Sequence, residues 1–219
     1  RHRNVPSSHR LEVSIEDEVT GPLLASGMLH RKPHSQTLFI LVHGLGGTVT
    51  SAYMNDASHR LSEMGYSVLR VGLRGSNDTQ PDFYHAGLTT ELDSILRSPT
   101  VQAFEKRVVI GFSLGGHVTL TLGTTQSASQ ATALVSVCAP LDLSATQLWL
   151  DKDRFNPYRR HCLVGLKRTL RSVHRIAEKR GVSLPVHWEK LDGIKTIHGW
   201  DEAMVVPRFG FDSVEHYYR

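Results

Sequence analysis

Two hydrophobic periodicities alternate along residues 1–139, each block closed by a polar or glycine-bearing turn. Leu11-Glu12-Val13-Ser14-Ile15 has the period of two that marks an edge strand. Leu23 to Leu29 is expected to pair with it after a turn around Gly21-Pro22. Residues 37–42 and 107–110 are apolar segments of the kind that reads as a buried parallel strand, and 67–71 and 133–137 are read as further strands. Between them, residues 51–63 predict a helix with Tyr53, Ala57 and Leu61 on one face and Gly65 as its stop. Residues 88–97 predict a second helix, and 116–122 a third. Strands alternating with helices imply an α/β fold, a doubly wound and mostly parallel sheet whose site lies at the carboxyl ends of its strands.

From Ala139 the pattern changes. Pro140-Leu141-Asp142-Leu143 closes the last convincing strand, and residues 140–219 hold no further one. Leu163, Leu166, Leu170, Val173 and Ala177 keep a helical spacing and predict an amphipathic helix. Asp142 or Ser144 is placed to cap a short helix running through Trp149. The expected organisation is an α/β core over 1–139 and a helical cap over 140–219, with the core's last strands beyond residue 219.

Composition narrows this only a little. A chain of 219 residues, 40% hydrophobic and 21% charged, fits one globular domain or a core with an insertion. No apolar run approaches the roughly 20 residues that span a bilayer. Two cysteines are too few for a disulfide framework; Cys138, at a strand end, is expected as a small buried thiol, and a cytoplasmic setting is the default. A net charge of +4 is too small to argue for nucleic acid. Thirteen histidines form no HExxH or zinc-spaced cluster, so neither metal nor cofactor is expected. Residues 154–180 carry nine Lys/Arg against Glu178 alone. They read as a solvated helix face, with weak contact to an anionic membrane surface, or attraction of an acidic acyl substrate, as the functional counterpart. The chain opens on Arg1 and stops after Tyr217-Tyr218-Arg219 without a closing signal, so a fragment is expected.

The candidate chemistry sits at two strand ends. Gly111-Phe112-Ser113-Leu114-Gly115, followed by Gly116, lies between an apolar strand and a helix start. A G-x-S-x-G in that context is a nucleophile elbow, which thrusts the serine hydroxyl out above the sheet. Upstream, the strand 37–42 runs into His43-Gly44-Leu45-Gly46-Gly47, the H-G-x-x-G form of an oxyanion loop, whose glycines let backbone N–H groups face a substrate carbonyl. Ser113 is the expected nucleophile, and the N–H groups of Leu45 and Leu114 are the expected oxyanion donors. His43, Gly44 and Gly46 are expected to support the loop.

These motifs resemble the YheT-type α/β-hydrolases, the branch that includes the yeast medium-chain ethyl-ester synthases and several mammalian abhydrolase-domain lipases. The resemblance also rests on Arg74-Gly75, Tyr84-His85-Ala86-Gly87, Ala139-Pro140-Leu141-Asp142-Leu143 and Thr196-Ile197-His198-Gly199-Trp200-Asp201. Pro207-Arg208-Phe209-Gly210-Phe211 and Tyr217-Tyr218 complete it. It implies a serine carboxylic-ester hydrolase for short- or medium-chain acyl esters or monoacylglycerol, working through an acyl-enzyme, with acyl transfer to alcohols open. A small acyl ester is the implied partner. The triad order Ser, Asp, His implies an acid and base beyond Arg219, so this chain alone is expected to be inactive. Within the chain, Asp142 reads as a helix cap, and His161, His174, His187, His198 and His216 follow no strand of proper length. His85 is expected to anchor its loop, His43 and His117 to position or pack, and Trp149, Trp188 and Trp200 either to line an acyl pocket or simply to pack in the interior. The alternative is a non-catalytic ligand-binding protein of the same fold.

Overall fold

A six-stranded mixed sheet carries the fold in the computed structural model, which describes residues 7–219. Its strands are β1 (His9–Asp17), β2 (Gly21–His30), β3 (Thr37–Val42), β4 (Ser67–Gly72), β5 (Lys106–Phe112) and β6 (Ala133–Val137), in the order β1-β2-β4-β3-β5-β6. β4, β3, β5 and β6 run parallel, and β1 and β2 add an antiparallel flank. All six residues of β4 are buried, Ser67 and Arg70 included, because its mid-sheet place covers both faces, whereas β1 alternates. The first turn lies at 18–20, ahead of Gly21-Pro22, which open β2. Asp17 sets it by accepting the Val19 and Thr20 N–H groups.

The helices are α1 (Ala52–Glu63), α2 (Thr90–Arg97), α3 (Pro99–Gln102), α4 (Leu114–Leu122), α5 (Leu143–Lys152), α6 (Pro157–Arg180), α7 (Ile197–Trp200), α8 (Val206–Phe209) and α9 (Val214–Tyr217). In α1 the buried face is Met54, Ser58 and Ser62, one position on from the expected one. Ala57 and Leu61 flank it, and Tyr53 is 40% exposed. Asp142 caps α5 through the Ala145 N–H, as its sequence position predicts. Asn156 caps α6, Pro157 occupies its first turn, and Gly181 ends it in the left-handed conformation. Leu163, Leu166, Leu170, Val173 and Ala177 are all buried, and the leucines and Val173 join the apolar core formed by the strands. Each such leucine contributes about 1.5–3 kcal/mol of burial. Arg159 departs from the expected solvated face. It is buried and donates to the carbonyls of Leu150, Asp151 and Arg154, while the other basic residues of 154–180 are at least partly exposed.

Five buried or half-buried charges bind the ends of the chain together. Arg74 bridges Glu91 (2.7 Å), Asp17 (2.7 Å) and Asp82 (2.9 Å), and Arg208 of α8 forks onto Asp82 and also reaches Asp17. Against the upward pull of burial, the Thr20 and Val19 N–H groups and the two guanidinia hold Asp17 down to about 2. β6 lies at the sheet edge with Val135 and Val137 exposed. The thiol expected to be buried after it, Cys138, is instead exposed, because the chain leaves this edge strand in a left-handed turn (φ +53°). Among the described residues no helix is long and apolar enough to cross a membrane.

Candidate active site

β5 delivers Ser113 to the carboxyl edge of the sheet in a backbone conformation that L-residues avoid, φ +52° and ψ −121°. Two features hold it there. Its N–H donates to the Val137 carbonyl at 2.8 Å, and α4 starts at once on Leu114. The elbow also packs backbone on backbone: a Cβ on Gly115 would stand 2.5 Å from the His43 carbonyl and 2.6 Å from that of Val42. The Ser113 hydroxyl lies 3.4 Å from that of Tyr158, at the start of α6.

The loop after β3 faces this hydroxyl, since a Cβ on Gly44 would stand 3.6 Å from Ser113 Oγ. His43 sets the loop from below. Its Nε2 accepts the Leu73 N–H (3.1 Å) and the Ser76 hydroxyl (2.9 Å), so Nδ1 carries the proton and donates to the Gly44 carbonyl (2.9 Å). Complete burial takes this imidazole down to about 4 against the smaller upward pull of the Gly44 bond, which fits a neutral ring. The Gly44 N–H donates to the Tyr53 hydroxyl and the Gly46 N–H to the Tyr84 hydroxyl, each at 2.8 Å. Gly47 N–H turns back to the Gly44 carbonyl. In the loop 43–47 that leaves the Leu45 N–H with no acceptor among the described residues. The Leu114 N–H, at the first position of α4, likewise has none.

Ser113 stands where two hollows meet. One is a mainly apolar cavity of about 270 Å³ lined by Leu45, Leu114, Leu143, Leu150, Leu166 and Ile197, with Thr146, Gln147, Asp201 and Tyr218 among its polar walls. The other is a groove of about 680 Å³ with Thr48, Ser51, His161 and Arg168 on its sides. Leu45, Ser113, Cys138 and Tyr158 border both. Trp200 and Trp149 line the cavity, and Trp188 packs elsewhere, stacked on His174 with ring centroids 4.2 Å apart.

The segments behind the cavity interlock. The Ala86 N–H donates to the Tyr217 hydroxyl at 2.9 Å, and the Tyr218 hydroxyl donates to Asp201 at 2.5 Å. His85 accepts the Gly87 N–H, the loop-anchoring bond expected of it, and its ring packs on Phe209, Phe211 and Tyr217. Burial, then the charges of Arg74 and Arg208, push His85 down to about 4. His117 bonds the Pro140 carbonyl, tying α4 to the chain before α5. Among the described residues no imidazole is hydrogen-bonded to Ser113; His161 only borders the groove.

Sequence reasoning placed Ser113, His43, Gly44, Leu45, Gly46 and Leu114 within one neighbourhood, and the structure brings them together. It passed over Tyr53, Tyr158, Ser76 and Gly165. Tyr53 carries no signal beyond its place on α1, where it reads as a core residue. Gly165 is the exception: a glycine in mid-helix costs stability, and that cost is a mark of close packing.

Residues 39–210 match the model of the alpha/beta hydrolase family. The chain is 25% identical over 193 residues to the embryogenesis-associated protein EMB8 of Picea glauca, covering 85% of this chain and 42% of that protein. It is 26% identical over 200 residues to a monoacylglycerol lipase of Saccharomyces cerevisiae, covering 84% and 43%. It therefore spans less than half the length of these relatives. Among solved structures, the esterase Pf2001 of Pyrococcus furiosus superposes with a TM-score of 0.54 at 18% identity, over 76% of this chain and 67% of that one.

Proposed function

The chain belongs to the alpha/beta hydrolase family, and on that premise we propose that it is the serine-bearing part of a carboxylic-ester hydrolase acting on short- or medium-chain acyl esters or monoacylglycerol. The observation that carries the reading is the selective occupation of the loop amides. Tyrosine hydroxyls take the Gly44 and Gly46 N–H groups and leave those of Leu45 and Leu114, two residues that line the cavity beside Ser113, without an acceptor among the described residues. In this reading Ser113 Oγ attacks the ester carbonyl, its proton passes to a general base, and the oxyanion forms against the two amides. Collapse of that intermediate expels the alcohol, which takes the proton. Water then cleaves the acyl-enzyme, and an alcohol in its place gives acyl transfer. The apolar cavity and the groove, which meet at Ser113, offer room for the two halves of an ester. The base and its orienting acid are proposed to come from chain beyond residue 219.

A fluorophosphonate probe on the protein expressed from its complete coding sequence tests this. Labelling is expected, and Ser113→Ala is expected to abolish it; labelling that survives the substitution rejects Ser113 as nucleophile. Residues 1–219 alone are expected to show negligible turnover of p-nitrophenyl esters. One observation favours a second reading, a non-catalytic ligand-binding protein: the hydroxyl neighbour of Ser113 is Tyr158, not an imidazole. Absence of all labelling in the complete protein, with ligand still held in the cavity, would select it.

A further inference from the structure

The cavity beside Ser113 has one carboxyl group on its walls among the described residues, and ester cleavage has no use for it. Asp201 lines it, is 6% exposed, and opens the π-helical turn Asp201–Val205 that joins α7 to α8. Its Oδ2 receives the Tyr218 hydroxyl at 2.5 Å. Its Oδ1 has no hydrogen-bond partner among the described residues, and the residue lines the cavity. No Lys, Arg or His is ion-paired with Asp201 among the described residues. A buried carboxyl oxygen left in this state is costly, and a ligand that supplies the missing bond recovers that cost.

We propose that Asp201 is a specificity residue that hydrogen-bonds a hydroxyl group carried by the cavity-bound part of the ester. The proposal rests on the reading that this cavity receives the ester, and it names what that ester bears. A hydroxyl suits the site better than a cation does. The surrounding walls, Ile197, Trp200, Val205 and Tyr217, are apolar or aromatic, so an ammonium group entering here loses its hydration for one carboxylate. Burial pushes Asp201 up to about 7, with the Tyr218 bond opposing and the charge of Asp151 adding to the rise. The group therefore spends part of its time neutral near neutral pH. A hydroxyl serves both forms, donating to the carboxylate and accepting from the acid, whereas a cation serves only the first.

The hydroxyl has two possible sources, the acyl chain or the alcohol portion. Binding of ethyl hexanoate, ethyl ω-hydroxyhexanoate and hydroxyethyl hexanoate to the Ser113→Ala protein separates them without turnover. One hydroxylated ester is expected to bind about three- to tenfold tighter than ethyl hexanoate, the factor that one net hydrogen bond supplies. Which of the two does so identifies the source. Asp201→Ala is expected to erase the preference and Asp201→Asn, which still offers a polar partner, to restore part of it. Equal binding of all three esters by the Ser113→Ala protein overturns the proposal whatever the Asp201 variants do. Tighter binding of ethyl ω-aminohexanoate than of either hydroxylated ester, lost in Asp201→Asn, overturns it in favour of a cation site. Fluorophosphonate labelling of Ser113 is indifferent to all these outcomes, so failure here and failure of the esterase reading are told apart.

Discussion

Gly165, in the middle of α6, lies backbone to backbone against Gly46 of the loop after β3: a Cβ on Gly165 would stand 2.7 Å from Gly46 Cα, and one on Gly46 would stand 2.8 Å from the Cys162 carbonyl. The long helix thus presses on the loop that presents the Leu45 amide, and Gly46 meets it in the left-handed conformation (φ +70°). Two effects of opposite sign meet in Gly165→Ala. Helix propensity alone would stabilise α6 by about 1 kcal/mol, whereas forced separation of packed backbones costs about 1–3 kcal/mol. The contact is expected to win, with a lower melting temperature and slower fluorophosphonate labelling of Ser113. A rise in melting temperature would mean that helix and loop are not in contact as described.

The two tyrosines that hold the loop differ in burial and so in what their hydroxyls contribute. Tyr84 is 4% exposed, and Tyr84→Phe leaves the buried Gly46 N–H without an acceptor. A loss of about 1–3 kcal/mol is expected from urea unfolding. Tyr53 is 40% exposed, so water can replace its hydroxyl at Gly44, and Tyr53→Phe is expected to cost less than about 1 kcal/mol. Equal losses would contradict this division.

Much of this arrangement was legible in the chain, for identifiable reasons. Residues 37–42 were found because a strand buried on both faces needs an apolar run, whereas 133–137 form an edge strand with no buried residue. The α6 core face was found because Leu163, Leu166, Leu170, Val173 and Ala177 keep one period through the helix. Ser113 and the loop 43–47 stood out because their glycines have no cheap substitute at such close approach. Side chains whose task is fixed by a distant partner stayed hidden. Nothing local tells Tyr53 to meet Gly44, or Arg159 to turn inward onto three carbonyls. Cys138 misled because an apolar strand predicts burial only where neighbours cover both its faces, and β6 lies at the edge.

Arg208 and Asp82 make the bidentate pair that fastens α8 to the core, and Asp82 is wholly buried. Arg208→Met would strand two carboxylates, Asp17 and Asp82, on Arg74 alone. A loss of about 3–5 kcal/mol is expected, as for other broken buried pairs. Arg208→Lys is expected to recover little, because an ammonium cannot fork onto both oxygens of Asp82 while reaching Asp17. Full recovery by lysine, read from urea midpoints, would show that charge alone matters there.

Acid should act on this fold through groups that pull in opposite directions. His43 and His85 are both held down to about 4 in the folded chain, against 6.5 for an ordinary histidine. Between those values the unfolded chain binds more protons, so their contribution is complete above about pH 6.5 and drains away as pH falls towards 4. For His43 alone the full swing is about 3 kcal/mol. Asp201, pushed up to about 7, has the reverse sign: it binds its proton in the folded state first, and offsets part of the loss as pH falls. Glu91, raised by burial, acts in the same sense. The wild-type midpoint in urea is therefore expected to fall only moderately between about pH 7.5 and pH 5. His43→Gln should flatten that fall, and Asp201→Asn, by removing the offset, should steepen it. A His43→Gln protein as acid-sensitive as wild type would mean that this imidazole is not held neutral.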